Sequence, residues 1–154
     1  MIEITNTIRT KASPARVLGF FGNFGDHYVE VWPEGHQGYE MISKGPPQVG
    51  STFRTIQTIK GRKVSSRGVI TKIEPGGMAW RMIPLPLMAG EYRYRPLPEG
   101  GTEITQAVQY GPPWPVVGPV VLFLMERVGV SHADLEKHMG EEMTRLQQAL
   151  EAEG

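Results

Sequence analysis

A histidine and a glutamate four residues apart, His138 and Glu142, lie in the stretch LEKHMGEEMTRLQQAL at 135–150. On a helix, residues at i and i+4 share one face with Cβ atoms roughly 5–6 Å apart. Both side chains can then ligate one metal ion. A projection at ~100° per residue with His138 at zero gathers Leu135, Met139, Met143, Leu146, Ala149 and Leu150 into a stripe ~120° wide. Glu142 falls near ~40°, inside that stripe. A carboxylate on a core-facing stripe is costly unless a cation, a metal or a hydrogen-bond network compensates it. The sequence therefore has to supply Glu142 with a partner.

Three kinds of partner are open. A metal would be held by His138 and Glu142 with a third ligand from elsewhere in the chain, leaving a position for water as a catalytic metal site requires. An arginine from the sheet would pair with the carboxylate, and Arg54, Arg67, Arg81, Arg93 and Arg95 are the candidates. A wet cavity would let Glu142 hold a ligand's polar head. An exposed, frayed position is the alternative to all three. His132 and Glu136 repeat the His-x-x-x-Glu spacing, so burial of Glu142 is the informative feature rather than the spacing. His132, near the helix start, is expected to be a satisfied structural histidine, and His27 a surface or packing residue.

Aromatic and thioether side chains suit a pocket. Trp32, Trp80, Trp114, Tyr92, Tyr94, Met82 and Met88 fall on expected strands or flanking loops, and Met139 and Met143 on the helix. Tyr92 and Tyr94 alternate onto one strand face. Together these residues can line a cavity for a flat or aliphatic molecule, with tyrosine hydroxyls to orient it. Trp32, Trp80, Tyr92, Tyr94, Met139 and Glu142 are the expected ligand contacts.

The elements that must position these groups are legible in order. IEITNTIRT is a strand. Ser13 caps a helix with Pro14 at its first position, where the missing N–H costs nothing. A second short helix covers DHYVEVW and stops at Pro33. Strands come next at YEMIS, STFRTIQTI, KVSSRGVITKIE, MAWRMI, GEYRYRPL and TEITQAVQY, separated by the hairpin signals KGR, EPGG and PEGG. Ser131 and Asp134 form a capping-box pattern that opens the last helix, running to about Ala152. Short links between successive strands give an antiparallel meander, and a sheet curled around one long amphipathic helix gives an α+β fold.

The chain has 154 residues, enough for a single domain with a sizeable core. Sixteen basic and sixteen acidic residues balance to zero, which offers no electrostatic case for a nucleic-acid partner. The basic KGRK at 60–63 reads as an exposed hairpin tip. With no cysteine, disulfides and thiol nucleophiles are excluded. The N-terminus has no apolar leader, so a cytoplasmic location is expected. The segment WPVVGPVVLFLM at 114–125 is shorter than the ~20 residues a membrane span needs. A short buried helix after a Pro-rich turn is expected for 114–128. Its alternatives are a segment that dips into a membrane surface, closes a pocket or docks a partner, a homodimer included. Nineteen glycines and thirteen prolines fall between apolar runs, as turns of an antiparallel sheet would. No Walker loop, dinucleotide fingerprint or nucleophile elbow is present.

The order and spacing of these pieces resemble the START-like, helix-grip (SRPBCC) superfamily, with its polyketide cyclase/dehydrase and lipid-transport group. ASPARVLGFFGNF is similar to the family's opening helix, VWPE to the stretch after its second helix, and VGSTFRT to the entry of its third strand. GVITKIEPGGMAWRM and GTEITQAVQY resemble later strands. The resemblance covers nearly the whole chain. It implies a curved seven-stranded antiparallel sheet wrapped around the C-terminal helix, with two short helices after the first strand and an apolar tunnel between sheet and helix. Members bind lipids, sterols or polyketides, or act on them. One subgroup, similar to diacetylphloroglucinol hydrolase, is a zinc-dependent carbon–carbon hydrolase whose ligands include a helical His-x-x-x-Glu. His138 and Glu142 match it, and WPEGH offers His36 as a further histidine. Where that subgroup has a glutamate on a mid-sheet strand, this chain has Gln57, a neutral and poor zinc ligand.

The resulting expectation is a domain that binds a small hydrophobic ligand (lipid, polyketide or aromatic). The alternative is a metal-dependent hydrolase or cyclase of the same fold acting on a polyketide-like substrate.

Overall fold

The computed structural model describes residues 2–22, 24–84, 88–110, 115–127, 129 and 131–152. The chain runs β1 (Ile2–Thr10), α1 (Pro14–Gly22), α2 (Phe24–Val31), β2 (His36–Met41), β3 (Thr52–Ile59), β4 (Arg62–Glu74), β5 (Gly77–Met82), β6 (Met88–Pro96), β7 (Thr102–Tyr110), α3 (Val117–Arg127) and α4 (His132–Ala152). The seven strands form one antiparallel sheet in the order β1-β7-β6-β5-β4-β3-β2. Strands β2 to β7 are the expected meander, and β1 closes it by pairing with β7 from Ile2↔Tyr110 to Thr10↔Thr102.

Local chemistry sets the element ends. The Ser13 hydroxyl accepts from the backbone N–H of Arg16 at 3.2 Å and starts α1. Ser131 Oγ accepts from the N–H of Asp134 at 3.2 Å, while the Asp134 carboxylate accepts from the N–H of Ser131 at 2.8 Å, so the expected capping box opens α4. The β3–β4 hairpin turns on two residues, Lys60 and Gly61, both with positive φ (50° and 72°). That geometry matches the strand twist. Strand β2 begins earlier than its sequence suggests. It starts at His36 through an irregularity between His36 and Gly38, and this places His36 in register with Gln57.

The buried face of α4 carries Leu135, His138, Met139, Glu142, Met143, Leu146 and Leu150, the stripe expected from the helical period. Its lower half packs with Val17, Phe21, Tyr92 and Ile104. Its upper half packs with Ile4, Ile59 and Val108. The expected burial of 114–128 does not hold for the residues described there. Val116, Val120, Phe123 and Leu124 are exposed. The concave face of the sheet is taken by α4, and α3 is left to pack at β7.

Candidate functional site

Between the sheet and α4 lies a cavity of about 130 Å³. Its walls are mostly apolar: Phe53, Ile59, Ile70, Met78, Trp80, Met82, Met88, Val108, Leu135 and Met139. Two of its aromatics lie flat because the neighbouring strand has no side chain beneath them. Phe53 pairs with Gly68 and Trp80 with Gly90. A Cβ on Gly68 would fall 2.5 Å from the Phe53 ring, and one on Gly90 would fall 2.7 Å from the Trp80 indole.

One region of the lining is polar, with Tyr28, Gln57, Tyr92, Gln106, His138 and Glu142. Glu142 is its centre and is buried. Its Oε1 accepts from the Tyr92 hydroxyl at 2.6 Å and from Gln106 Nε2 at 2.9 Å. Its Oε2 lies 3.3 Å from His36 Nε2. A carboxylate has about four acceptor positions, so roughly one remains for a ligand. Burial by itself pushes the Glu142 carboxyl up. The His36 hydrogen bond and charge, the Tyr92 hydroxyl and His138 outweigh it and leave the carboxyl below its ordinary value. The Tyr92 hydroxyl is pushed well up by burial and by the Glu142 charge, and so stays a donor. The same two causes raise Tyr28.

His36 is held as a metal-binding histidine would be. Its Nδ1 donates to the Tyr28 carbonyl at 2.8 Å, and its ring stacks on that of Tyr28 at 3.9 Å. With Nδ1 carrying a proton, Nε2 meets an acceptor-only carboxylate. It satisfies Glu142 either by carrying a second proton or by sharing a cation with it. His138, one helical turn before Glu142, lines the cavity with a buried Nε2 that no described group bonds. Burial holds His138 below its ordinary pKa, which keeps it neutral at pH 7 and able to ligate. One ligand atom from each of His36, His138 and Glu142 lies within 4.8 Å of the others.

The donor set fits zinc in type: two imidazoles, one oriented through Nδ1 and the other with an orphaned nitrogen, plus a carboxylate. Such an ion would polarise a carbonyl and lower the pKa of a bound water. Gln57 does not join the ligands. Its Nε2 donates to the Tyr28 hydroxyl and so supports the residue that orients His36.

Other expected site residues stand in and around the cavity. Tyr92 reaches the cavity, but Tyr94, two residues on, packs on Phe21 at 4.7 Å beyond it and is not part of the lining. Trp32 also stands outside the lining. It packs behind the cluster, 5.4 Å from His36 and 4.7 Å from His138 between ring centroids. Trp80, Met82, Met88 and Met139 do line the cavity, while Trp114 lies outside the described residues. None of the five arginines pairs with Glu142 among the described contacts. Arg54, Arg81, Arg93 and Arg95 alternate with inward residues and so face outward. Arg54 pairs with Glu40, Arg93 with Glu91 at 3.0 Å and Arg95 with Glu103 at 2.7 Å. Arg67 is exposed at the cavity's rim. His132 pairs with Glu136 at 3.3 Å, and His27 stacks on Phe20 at 4.7 Å and pairs with Glu30 at 3.6 Å.

Gln106 and Tyr28 were missed as site residues. Gln106 had a signal of the same kind as Glu142: it is an amide flanked by Ile104 and Val108 in the inward set Thr102, Ile104, Gln106 and Val108 on β7. Tyr28 had none, because only the fold places its carbonyl and its ring against His36.

Comparison with known proteins places the chain in a fold group. The family model described as polyketide cyclase / dehydrase and lipid transport matches residues 1–151. The structure is similar to that of major latex-like protein 151 from Panax ginseng, with TM-score 0.73 and 12% identity, 96% of each chain being covered. It is also similar to the Zhui aromatase/cyclase from Streptomyces sp. R1128, with TM-score 0.66 and 14% identity over 96% of this chain and 95% of that one. A START superfamily protein from Mycobacterium smegmatis matches with TM-score 0.61 and 17% identity over 94% and 98%. A sequence search of curated proteins finds no match. At these identities the structural likenesses establish the helix-grip fold and not an activity.

Proposed function

The chain belongs to the polyketide cyclase / dehydrase and lipid-transport family, and on that premise we propose that it binds a small hydrophobic molecule between the sheet and α4, with a polar group of that molecule held at Glu142. The observation that carries this reading is a buried carboxylate set in the polar part of an otherwise apolar cavity. Three acceptor positions of Glu142 are filled by Tyr92, Gln106 and His36. The remaining position and the orphaned His138 nitrogen suit a hydroxyl on a lipid, polyketide or aromatic skeleton. Apolar walls supply affinity through burial, and the polar cluster supplies orientation. Titration with a hydroxylated aromatic such as 2-naphthol, followed by the fluorescence of Trp80 against a Trp80→Phe control, tests it. Saturable quenching that weakens in Glu142→Gln is expected. No Trp80-dependent change, together with no organic molecule co-purifying by mass spectrometry, would sink the reading.

A second reading is favoured by one specific observation, the convergence of His36, His138 and Glu142 with an unbonded His138 Nε2 among the described residues. In it the protein is a metal-dependent hydrolase or cyclase acting on a polyketide-like substrate, with these three residues holding zinc. Here His36 and Glu142 keep their mutual orientation through Tyr28 and Tyr92, and the cavity walls position the substrate. Elemental analysis of untagged protein separates the two readings. About one equivalent of zinc, lost in Glu142→Ala, supports the enzyme; no metal, and no rise in Tm on adding zinc, supports the binder.

A further inference from the structure

We propose that α3 and the tip of the β3–β4 hairpin together form a docking surface for an anionic lipid bilayer. Two independent features carry this. The first is apolar. Val116, Val120, Phe123 and Leu124 project from one side of α3 and the turn before it, spaced i, i+4, i+7 and i+8, and span about 100° of helix surface. They are 71%, 48%, 54% and 56% exposed. Scattered apolar exposure is ordinary on a protein surface, but a contiguous stripe on one element is not.

The second feature is charge. The stripe ends at Arg127, whose guanidinium lies over the Phe123 ring at 5.0 Å from its centroid. Beyond α3, the turn at Gly129 abuts the basic hairpin, because the Arg62 guanidinium lies 3.3 Å from where a Cβ on Gly129 would stand. Lys60, Arg62 and Lys63 are exposed on that tip. On the tip and α3 together, four cations face one carboxylate, Glu126. From the start of α4, Asp134 takes up Lys60 at 3.2 Å.

An apolar stripe bordered by cations, with an arginine whose stem can lie along the acyl boundary while its head meets phosphate, matches an anionic membrane surface. A protein partner selected by the stripe alone would make no use of Lys63 and Arg127 at its border. The surface also adjoins the cavity. Ile59 and Leu135 line the cavity and are the chain neighbours of Lys60 and Asp134. Docking would bring that end of the cavity to the lipid, whatever molecule the cavity holds.

The test is co-flotation of the full chain with vesicles of phosphatidylcholine alone or of phosphatidylcholine mixed with phosphatidylglycerol. The expected result is association with the mixed vesicles that weakens as salt is raised. Phe123→Ser combined with Leu124→Ser should cut it at least about tenfold. Lys63→Glu should cut it several-fold on the mixed vesicles and leave the neutral ones unchanged. All three positions are exposed, and circular dichroism of each variant is the control for folding. Absence of association with mixed vesicles at low salt overturns the proposal. So does association that ignores the double substitution, or a wild-type dimer without vesicle affinity that the double substitution turns into monomer.

Discussion

The hydroxyl of Tyr92, on the sixth strand, donates to Oε1 of Glu142, on the last helix, at 2.6 Å, and both groups are buried. Gln106 bonds both atoms at 2.9 Å and locks the pair. A hydrogen bond to a charged group is worth about 1.5–3 kcal/mol. Tyr92→Phe keeps the ring and removes only the donor, so it should lower unfolding stability by about that amount in urea melts. An unchanged midpoint would mean that Glu142 is protonated or compensated elsewhere.

Removing the orphaned nitrogen should act in opposite directions with and without metal. In chelator-treated protein His138→Leu should be neutral or stabilising, because a buried polar atom that no described group bonds is replaced by an apolar group of similar reach. In zinc-supplemented buffer the wild type should gain Tm and His138→Leu should not. Equal Tm responses of the two proteins to zinc would exclude His138 as a ligand.

The aromatic floor of the cavity depends on Gly90. A methyl group there would sit 2.7 Å from the Trp80 indole and push it into the cavity. Gly90→Ala should cost about 1–3 kcal/mol of stability. It should also weaken binding of a flat ligand more than that of a thin aliphatic one. Equal effects on both would mean that Trp80 does not shape the cavity.

The cap of the last helix gives a pH signature. Asp134 is held down to about 2 by hydrogen bonds from Ser131, first from its backbone N–H and then its side chain, with Lys60 contributing. Its folded value is below its ordinary 3.8, so the unfolded chain binds the proton more readily in between. The contribution is therefore complete above the ordinary value and is lost as pH falls toward the folded one. Asp134→Asn should remove that part of the acid dependence and leave stability between pH 5 and 8 flat relative to wild type. NMR titration of the carboxyl carbon checks the value directly, and a midpoint near 3.8 would contradict the cap geometry.

The fold was legible because its signals are local. Ser13 and Ser131 mark helix starts, KGR fits a two-residue turn, and alternation on β6 places Tyr92 inward and Arg93 outward whatever the sheet does next. Even the oddity of Glu142 was visible, since a helical projection needs only the helix. The exposure of Val116, Val120, Phe123 and Leu124 was not foreseen for the opposite reason. An apolar run names what prefers to be buried but not whether a covering surface is left, and α4 had already taken the concave face.

His-x-x-x-Glu, the inward polar position of Gln106 and the WPEGH histidine were all written in the sequence as separate residues. That His36 and Glu142 meet, 106 positions apart, was decided by the curl of the sheet and by the irregularity that starts β2 at His36. Tertiary structure also chose hydrogen bonds over an arginine as the answer to the buried charge. Strand alternation turns Arg54, Arg81, Arg93 and Arg95 to solvent, while register brings Tyr92 and Gln106 side by side under the helix. Period and propensity act over a few residues, whereas convergence of polar groups from four elements is a property of how the whole sheet closes on its helix.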